Sequence, residues 1–432
     1  MKKWILLLTA LLLTAALLAG CGGTEAPAGP EEPSPTESPA PEPSPTPSPT
    51  PEPTPDPFLS FPDGSLHARD EESLDLSLLT HEDASAVAAL LREMPALKTV
   101  DLGADNARTA QEAEEGGEAD PDAPERLEWA DIRLLMDAAP QAEFTYRFRF
   151  YGKDFSLQDE AMDLNHRTMD DEGAAVREIL PCMKHCVYLD MDFCGVSNEA
   201  MAAIRDDFPQ IDVVWRIWFG RDDKLSVRTD VERILASDGG MHIEENYSGL
   251  QYCTKVRYLD MGHMPLMEDW SFLGCMPDLE VAILAVGGWN DLSCLANCTH
   301  LEYLEMCSRT TRDPLDLSFL ANLKELKHLN ICCDYDVTGY EALEELTQLE
   351  RLWIGAFTNI PQDYLEHLQQ ALPNTVINLD SLSGVGEKWR YRDMSAGTYD
   401  PRYILLCEQF DYAHYDQVCS RRENDPLYKP HD

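Results

Sequence analysis

Five short segments constrain this chain more than anything else in it: Val256-x-x-Leu259-x-Met261, Leu279-x-x-Ala282-x-Leu284, Leu301-x-x-Leu304-x-Met306, Leu326-x-x-Leu329-x-Ile331 and Leu349-x-x-Leu352-x-Ile354. Their first positions lie 23, 22, 25 and 23 residues apart. A unit of that size cannot bury its own apolar face, so a chain that repeats it stacks the copies and makes a continuous core between them. Within each unit the repeated apolar positions alternate with positions that are polar in most copies, which marks a short strand with one face turned inward and the other outward.

The stretches between the strands repeat as well. Asp269-Trp-Ser-Phe-Leu273, Asp291-Leu-Ser-Cys-Leu295 and Asp316-Leu-Ser-Phe-Leu320 recur one period apart. An Asp or Ser ahead of apolar residues starts a short helix or 3-10 turn by accepting its free N–H groups. Together these segments, over about Val256 to Leu379, resemble the internalin-type bacterial leucine-rich repeat. The resemblance implies an α/β solenoid with a parallel β-sheet on the concave face and short helices or 3-10 turns on the convex face. The position that carries an Asn ladder in that family is occupied here by Met264, Gly287, Arg309, Asp334 and Phe357.

The N-terminal half follows the same logic irregularly. Helical runs lead into Leu97-Lys-Thr-Val100-Asp-Leu102 and Cys186-Val-Tyr-Leu189-Asp-Met191. Pro140-Gln-Ala-Glu-Phe-Thr-Tyr-Arg-Phe-Arg-Phe-Tyr-Gly152 parallels Pro209-Gln-Ile-Asp-Val-Val-Trp-Arg-Ile-Trp-Phe-Gly220, and each runs into a Phe/Leu-Ser step at Phe155-Ser156 or Leu225-Ser226. Each is expected to be a repeat strand extended into a hairpin; a separate α/β domain over about 58–245 is the alternative. Gln111 to Glu125, with seven acids, two Pro and two Gly, reads as a solvated insertion, and its acids lack the alternation of a calcium loop.

The ends are of another kind. Lys2 and Lys3 precede an apolar run closed by Leu18-Ala19-Gly20-Cys21, the order of parts in a secretory signal. From Trp4 to Gly20 the run is 17 residues, short of the roughly 20 that span a bilayer core. Leu-Ala-Gly-Cys resembles the lipobox of bacterial lipoproteins, which implies cleavage before Cys21 and a lipid on its sulfur, a membrane partner at an extracytoplasmic surface. Thr24 to Pro57 carries 14 prolines in 34 residues and can build no core. As polyproline II it would reach on the order of 100 Å, the length of a tether. The expected organisation is 1–20 signal peptide, 21–57 lipidated Pro-rich linker, 58–245 irregular repeats, 246–383 regular repeats and 384–432 an aromatic-rich cap over the last open layer, since a solenoid must close its end. Tyr403, Leu406, Cys407 and Phe410 share one helical face there.

Charge and motifs narrow the function. A net charge of −44 repels nucleic acid and anionic lipid. Twelve cysteines are scattered from Cys182 to Cys419 in no compact framework, so mostly buried thiols are expected, with disulfides the lesser reading. The Cys182/Cys186 and Cys294/Cys298 pairs lack a matching His pair for zinc. No His-Glu-x-x-His, Gly-x-Ser-x-Gly, phosphate loop or Ser-x-x-Lys element occurs, no cofactor is implied, and His81-Glu82 lacks its second His. Asp190-Met-Asp192 has carboxylates at alternate strand positions, an arrangement that holds a metal or simply faces water.

The strand register nominates a surface. On the concave face stand Tyr188, Asp190, Tyr258, Asp260, Val281, Ile283, Tyr303, Glu305, His328, Asn330, Arg351 and Trp353. Tyr, Trp and Arg anchor protein interfaces, and aromatics beside carboxylates also suit glycans. The same residues can equally be cross-strand neighbours that support one another. The expected function is therefore a non-enzymatic, surface-displayed repeat protein that binds a protein, peptide or glycan through this face. An envelope hydrolase with its site in 58–245, or a passive spacer, are the alternatives.

Overall fold

The computed structural model describes residues 56–104, 127–220, 223, 225–236, 246–332, 336–355, 358–379, 388–393 and 395–410, with the backbone of 420–421. The signal segment, Cys21, the Pro-rich stretch to Pro55, the acidic insertion, Asp334 and Phe357 lie outside these residues.

The regular repeats form one seven-stranded sheet from Arg233–Leu235, Tyr258–Asp260, Val281–Ile283, Tyr303–Glu305, His328–Asn330, Arg351–Trp353 and Val376–Asn378. Every neighbouring pair is parallel and in register, so Ile234, Leu259, Ala282, Leu304, Leu329, Leu352 and Ile377 make one row. That row packs inward against the 3-10 turns Ser248–Tyr252, Ser271–Cys275, Ser293–Asn297, Ser318–Asn322 and Tyr340–Glu345 on the convex side. The three repeated aspartates start their turns directly: Asp269, Asp291 and Asp316 accept the N–H of Ser271, Ser293 and Ser318 at 2.9, 2.7 and 2.9 Å.

Without an Asn ladder, other groups hold the loops after the strands. His263, Val286 and Ser308, each three residues past a strand, sit at φ of 61°, 60° and 62°, a left-handed step that turns the chain out of the sheet. At Gly287 a Cβ would come within 2.2 Å of the Trp289 indole nitrogen, which donates instead to the Leu284 carbonyl at 3.1 Å. Arg309, buried, donates to the carbonyls of Asp313 and Asp336, and the Thr358 hydroxyl to those of Ile354 and Ile331.

The N-terminal half builds two smaller sheets. Ser73–Asp75, Thr99–Ala104 and Glu143–Phe150 are parallel, and Lys153–Ser156 folds back antiparallel on the last. Ala161–Asp163, Tyr188–Asp190 and Asp212–Val214 form the second. A further hairpin, Arg216–Phe219 with Leu225–Arg228, takes Ser420–Arg421 as a third strand. Full helices replace the 3-10 turns here: His81–Leu91 buries Ala84, Val87, Ala88 and Leu91, an i, i+3, i+4, i+7 stripe. Trp129–Ala138 opens with a reciprocal cap between Glu128 and Asp131. One continuous apolar cluster runs from Leu59 to Leu372, so both halves share a core. The chain is a leucine-rich repeat solenoid, regular in its C-terminal half and irregular before it. No helix among the described residues is long and apolar enough to cross a membrane.

Candidate functional site: the concave face

In the seven-stranded sheet the residues flanking the inward row face the opposite side in two columns. One holds Arg233, Tyr258, Val281, Tyr303, His328, Arg351 and Val376; the other Leu235, Asp260, Ile283, Glu305, Asn330, Trp353 and Asn378. A solvent-facing sheet would leave these side chains exposed. Instead Leu235, Asp260, Val281, Ile283, Tyr303, Glu305, His328, Asn330 and Trp353 are all buried, Arg233, Tyr258, Arg351 and Asn378 are partly accessible, and only Val376, on the last strand, is exposed.

What covers them is the chain's own C-terminal segment, a strap that crosses the concave face as a ribbon, Tyr391–Asp393 with Thr398–Tyr399, followed by the helix Pro401–Phe410. Its Trp389, Leu406 and Phe410 complete a second apolar cluster with Leu235, Val281, Ile283, Tyr303 and Trp353, separate from the solenoid core. The sequence pattern suggested that 384–432 closes the last layer of the stack. Its described part, 388–393 and 395–410, lies instead over the sheet face, which is itself apolar at Leu235, Val281, Ile283 and Trp353 and would otherwise stand in water.

At the centre of the contact is Glu305, fully buried. Its carboxylate accepts the Tyr303 hydroxyl at 2.8 Å and the Trp389 indole N–H at 2.9 Å, and pairs with the Arg390 guanidinium. A buried carboxylate demands such partners. Arg351 pairs with Asp400 at 3.2 Å, donates to the carbonyls of Lys388 and Trp389, and lies 4.8 Å above the Trp389 ring. The Arg402 guanidinium lies over Tyr303 at 5.7 Å, and Tyr258 meets Phe410 edge-on at 6.1 Å. Burial, followed by the charges of Arg402, Arg351 and Lys327, depresses the His328 imidazole to about 3; the exposed Glu350 carboxylate 3.7 Å away does not offset them. Burial and the Glu305 charge hold the Tyr303 hydroxyl well above its ordinary value.

The N-terminal part of the same face is open. Ser73, Asp75, Thr99, Asp101, Glu143 and Thr145 are exposed, and Tyr188 and Asp190 are half-buried. Around the last two the second hairpin supplies guanidinium groups. Arg228 reaches Asp190 at 3.0 Å, the Tyr188 hydroxyl at 2.7 Å and Asp230 at 3.1 Å, while Arg216 pairs with buried Asp192 at 3.0 Å. Burial raises the Asp192 carboxyl against the pull of Arg216. The Asp190/Asp192 pair is thus held by arginines rather than left to bind a cation, and no group of three or more metal-ligating side chains occurs among the described residues. Beside the cluster, His166 stacks on Phe193 at 4.6 Å and 8°, Trp218 meets Phe193 edge-on at 6.0 Å, and Arg216 lies 5.1 Å over Phe193. A cleft of about 470 Å³ lies beside the strand Asp212–Val214, lined by Arg205, Asp212, Thr229 and Tyr252 among others.

The carboxylates and amide at the strand ends also have a local task. Asp75, Asp101, Asp163, Asp190, Asp260 and Asn330 each accept the N–H of the residue two positions on, at 2.9 to 3.1 Å. Their recurrence follows from that turn. The partners from outside the repeats, Arg216 and Arg228 on the hairpin and Trp389, Arg390 and Asp400 on the strap, did not enter the sequence expectation. The one signal for them was an excess of Arg and aromatic residues in segments that break the period. Cys182, Cys186, Cys194 and Cys298 are buried thiols, and burial pushes Cys182, Cys194 and Cys298 up to about 12.

No protein-family model matches the chain, and no curated protein matches it. Among solved structures it is similar to an internalin from Listeria monocytogenes, at 13% identity and a TM-score of 0.28 over 68% of this chain, and it spans 64% of that internalin's length. A second Listeria monocytogenes internalin, C2, gives 12% identity and 0.26 over 61% of this chain and 81% of that one. A leucine-rich repeat protein of Leptospira interrogans gives 13% and 0.30 over 67% and 74%. These likenesses carry no functional argument, and the repeat fold rests on the parallel register of the chain's own sheets.

Proposed function

We propose that the protein is a lipid-anchored, extracytoplasmic leucine-rich repeat protein that binds a protein, peptide or glycan ligand on its concave face. The incoming ligand meets the open part of that face, around Tyr188, Asp190, Arg216 and Arg228 and the ring stack of His166, Phe193 and Trp218. The observation that carries this reading is the preorganised cluster itself: guanidinium groups, carboxylates and aromatic faces fixed by one another and still partly accessible. Such groups bind with little ordering cost, because their geometry exists before the ligand arrives.

The test uses the soluble chain from Phe58 onward against cells, wall fragments and glycoproteins. Replacing Tyr188 and Arg228 together with Ala should weaken retention at least tenfold, and unchanged retention by a folded variant would remove the site. The anchor is tested apart from the site. Metabolic labelling with a fatty acid should mark the full chain and be lost in Cys21→Ser.

A further inference from the structure

We propose that the concave face of the seven-stranded sheet is a second recognition groove, a peptide groove, and that residues 388–410 are its tethered occupant, exchangeable for a separate peptide of the same chemistry. That chemistry is an aromatic residue followed by an arginine, then a carboxylate, then an amphipathic helical turn with an aromatic end. The inference does not depend on the open site around Tyr188.

Three observations support exchange over permanent closure. First, the solenoid core is complete without the strap: the inward row from Ile234 to Leu352 belongs to one cluster, and the strap residues Trp389, Leu406 and Phe410 to another. The strap adds no strand to the seven-stranded sheet and crosses its face. Second, it is held by side-chain contacts that a separate peptide could reproduce: Trp389 and Arg390 on Glu305, Trp389 against Tyr303 and Trp353, Asp400 on Arg351, Arg402 over Tyr303 and Phe410 on Tyr258. Ile404 and Leu405 of its helix stay 46% and 42% exposed. Third, the fit is incomplete. His328 and Trp353, 7% and 3% exposed, lie under the strap, yet the His328 Nδ1 and the Trp353 indole N–H make no hydrogen bond to it. Leaving these atoms without partners costs free energy, and a peptide with an acceptor for Trp353 and a donor for His328 would satisfy them.

A tethered occupant competes at an effective concentration of about millimolar, so the groove is masked until the tether's own contacts weaken or a better ligand arrives. The experiment uses a fluorescently labelled peptide of sequence 388–410 and the soluble chain. In the Trp389→Ala, Arg390→Ala variant, which disables the strap and leaves the groove intact, the peptide should bind at least tenfold more tightly than to the unaltered chain. Adding Glu305→Ala should abolish that gain. Equal binding to the two chains, or binding to neither, overturns the proposal. Mixed dimers formed in place of peptide binding would assign the groove to a second copy and overturn it as well. If the variant does not fold, hydrogen exchange on the unaltered chain decides. Amides of 388–410 should open before those of the strands around Leu304 and Leu329, and faster with excess peptide. Exchange only together with those strands, indifferent to peptide, overturns it.

Discussion

The two halves of the solenoid treat the same surface in opposite ways. In the N-terminal half the concave face is polar, edged by Asp75, Asp101 and Glu143, and it stays in water. In the C-terminal half equivalent positions carry Leu235, Val281, Ile283, Tyr303 and Trp353, and the chain returns to cover them. The inward rows do not differ, since Leu74, Val100, Met162 and Leu189 are as buried as Leu259, Leu304 and Leu329. Folding in a repeat stack is thus settled by the inward row, and the opposite side of each three-residue strand is left for recognition.

The sharpest test of that contrast removes one carboxylate from each half. Glu305→Ala takes away the fully buried acceptor of Trp389, Tyr303 and Arg390, and breaking a buried pair costs about 3–5 kcal/mol. The loss should fall on the strap, seen as exchange of the 388–410 amides rising by about two orders of magnitude or more. Asp190→Ala leaves Arg228 its Asp230 partner and open water, and should cost about 1 kcal/mol with no change in the strap. Equal effects in the two halves would break the comparison.

The inward row was fully legible because burial forces period and residue type together, as in Leu326-x-x-Leu329-x-Ile331. The turn starts at Asp269, Asp291 and Asp316 were legible because capping is local chemistry. The identity of the concave residues followed from alternation, but their surroundings did not. Nothing in Tyr303-Leu-Glu305 shows that its carboxylate will meet an indole 84 residues away. Likewise, the helical face of Tyr403, Leu406 and Phe410 says that something is buried without saying against what. Long-range pairing of two irregular segments leaves no period to read.

A smaller effect separates the halves by pH. The described histidines of the N-terminal half are all at least partly exposed, whereas His328 is buried among Tyr303, Arg351, Arg402 and Lys327, with Glu350 at its edge. Its folded value of about 3 lies below that of the unfolded chain, about 6.5. Above 6.5 neither state holds the proton, and the histidine adds no pH dependence. As pH falls from 6.5 towards 3, the unfolded or undocked state binds a proton that the folded state refuses, and stability drops by at most about 1.4 kcal/mol per pH unit. Urea titrations at pH 7 and pH 5 should therefore show a loss that is smaller in His328→Gln. A loss of the same size in both would place the acid sensitivity in the carboxylates instead.

The smallest effect asks whether the halves are one folding unit. Ser197 caps the helix Asn198–Asp207 by accepting the Ala200 N–H at 3.3 Å, and Asp316 makes the turn that leads into the 3-10 segment Ser318–Asn322 by accepting the Ser318 N–H at 2.9 Å. Ala at either position should cost about 1 kcal/mol. In a stack of repeats, stability is a sum of unit and interface contributions, so where that loss registers depends on how strongly the interfaces couple the units. Because Leu59 to Leu372 form one apolar cluster that runs from the N-terminal sheets into the seven-stranded one, both substitutions should shift a single common unfolding transition by similar amounts. Two transitions, each answering to only one of the substitutions, would show that the open and the covered half fold independently, and the shared core would then be a contact between two domains.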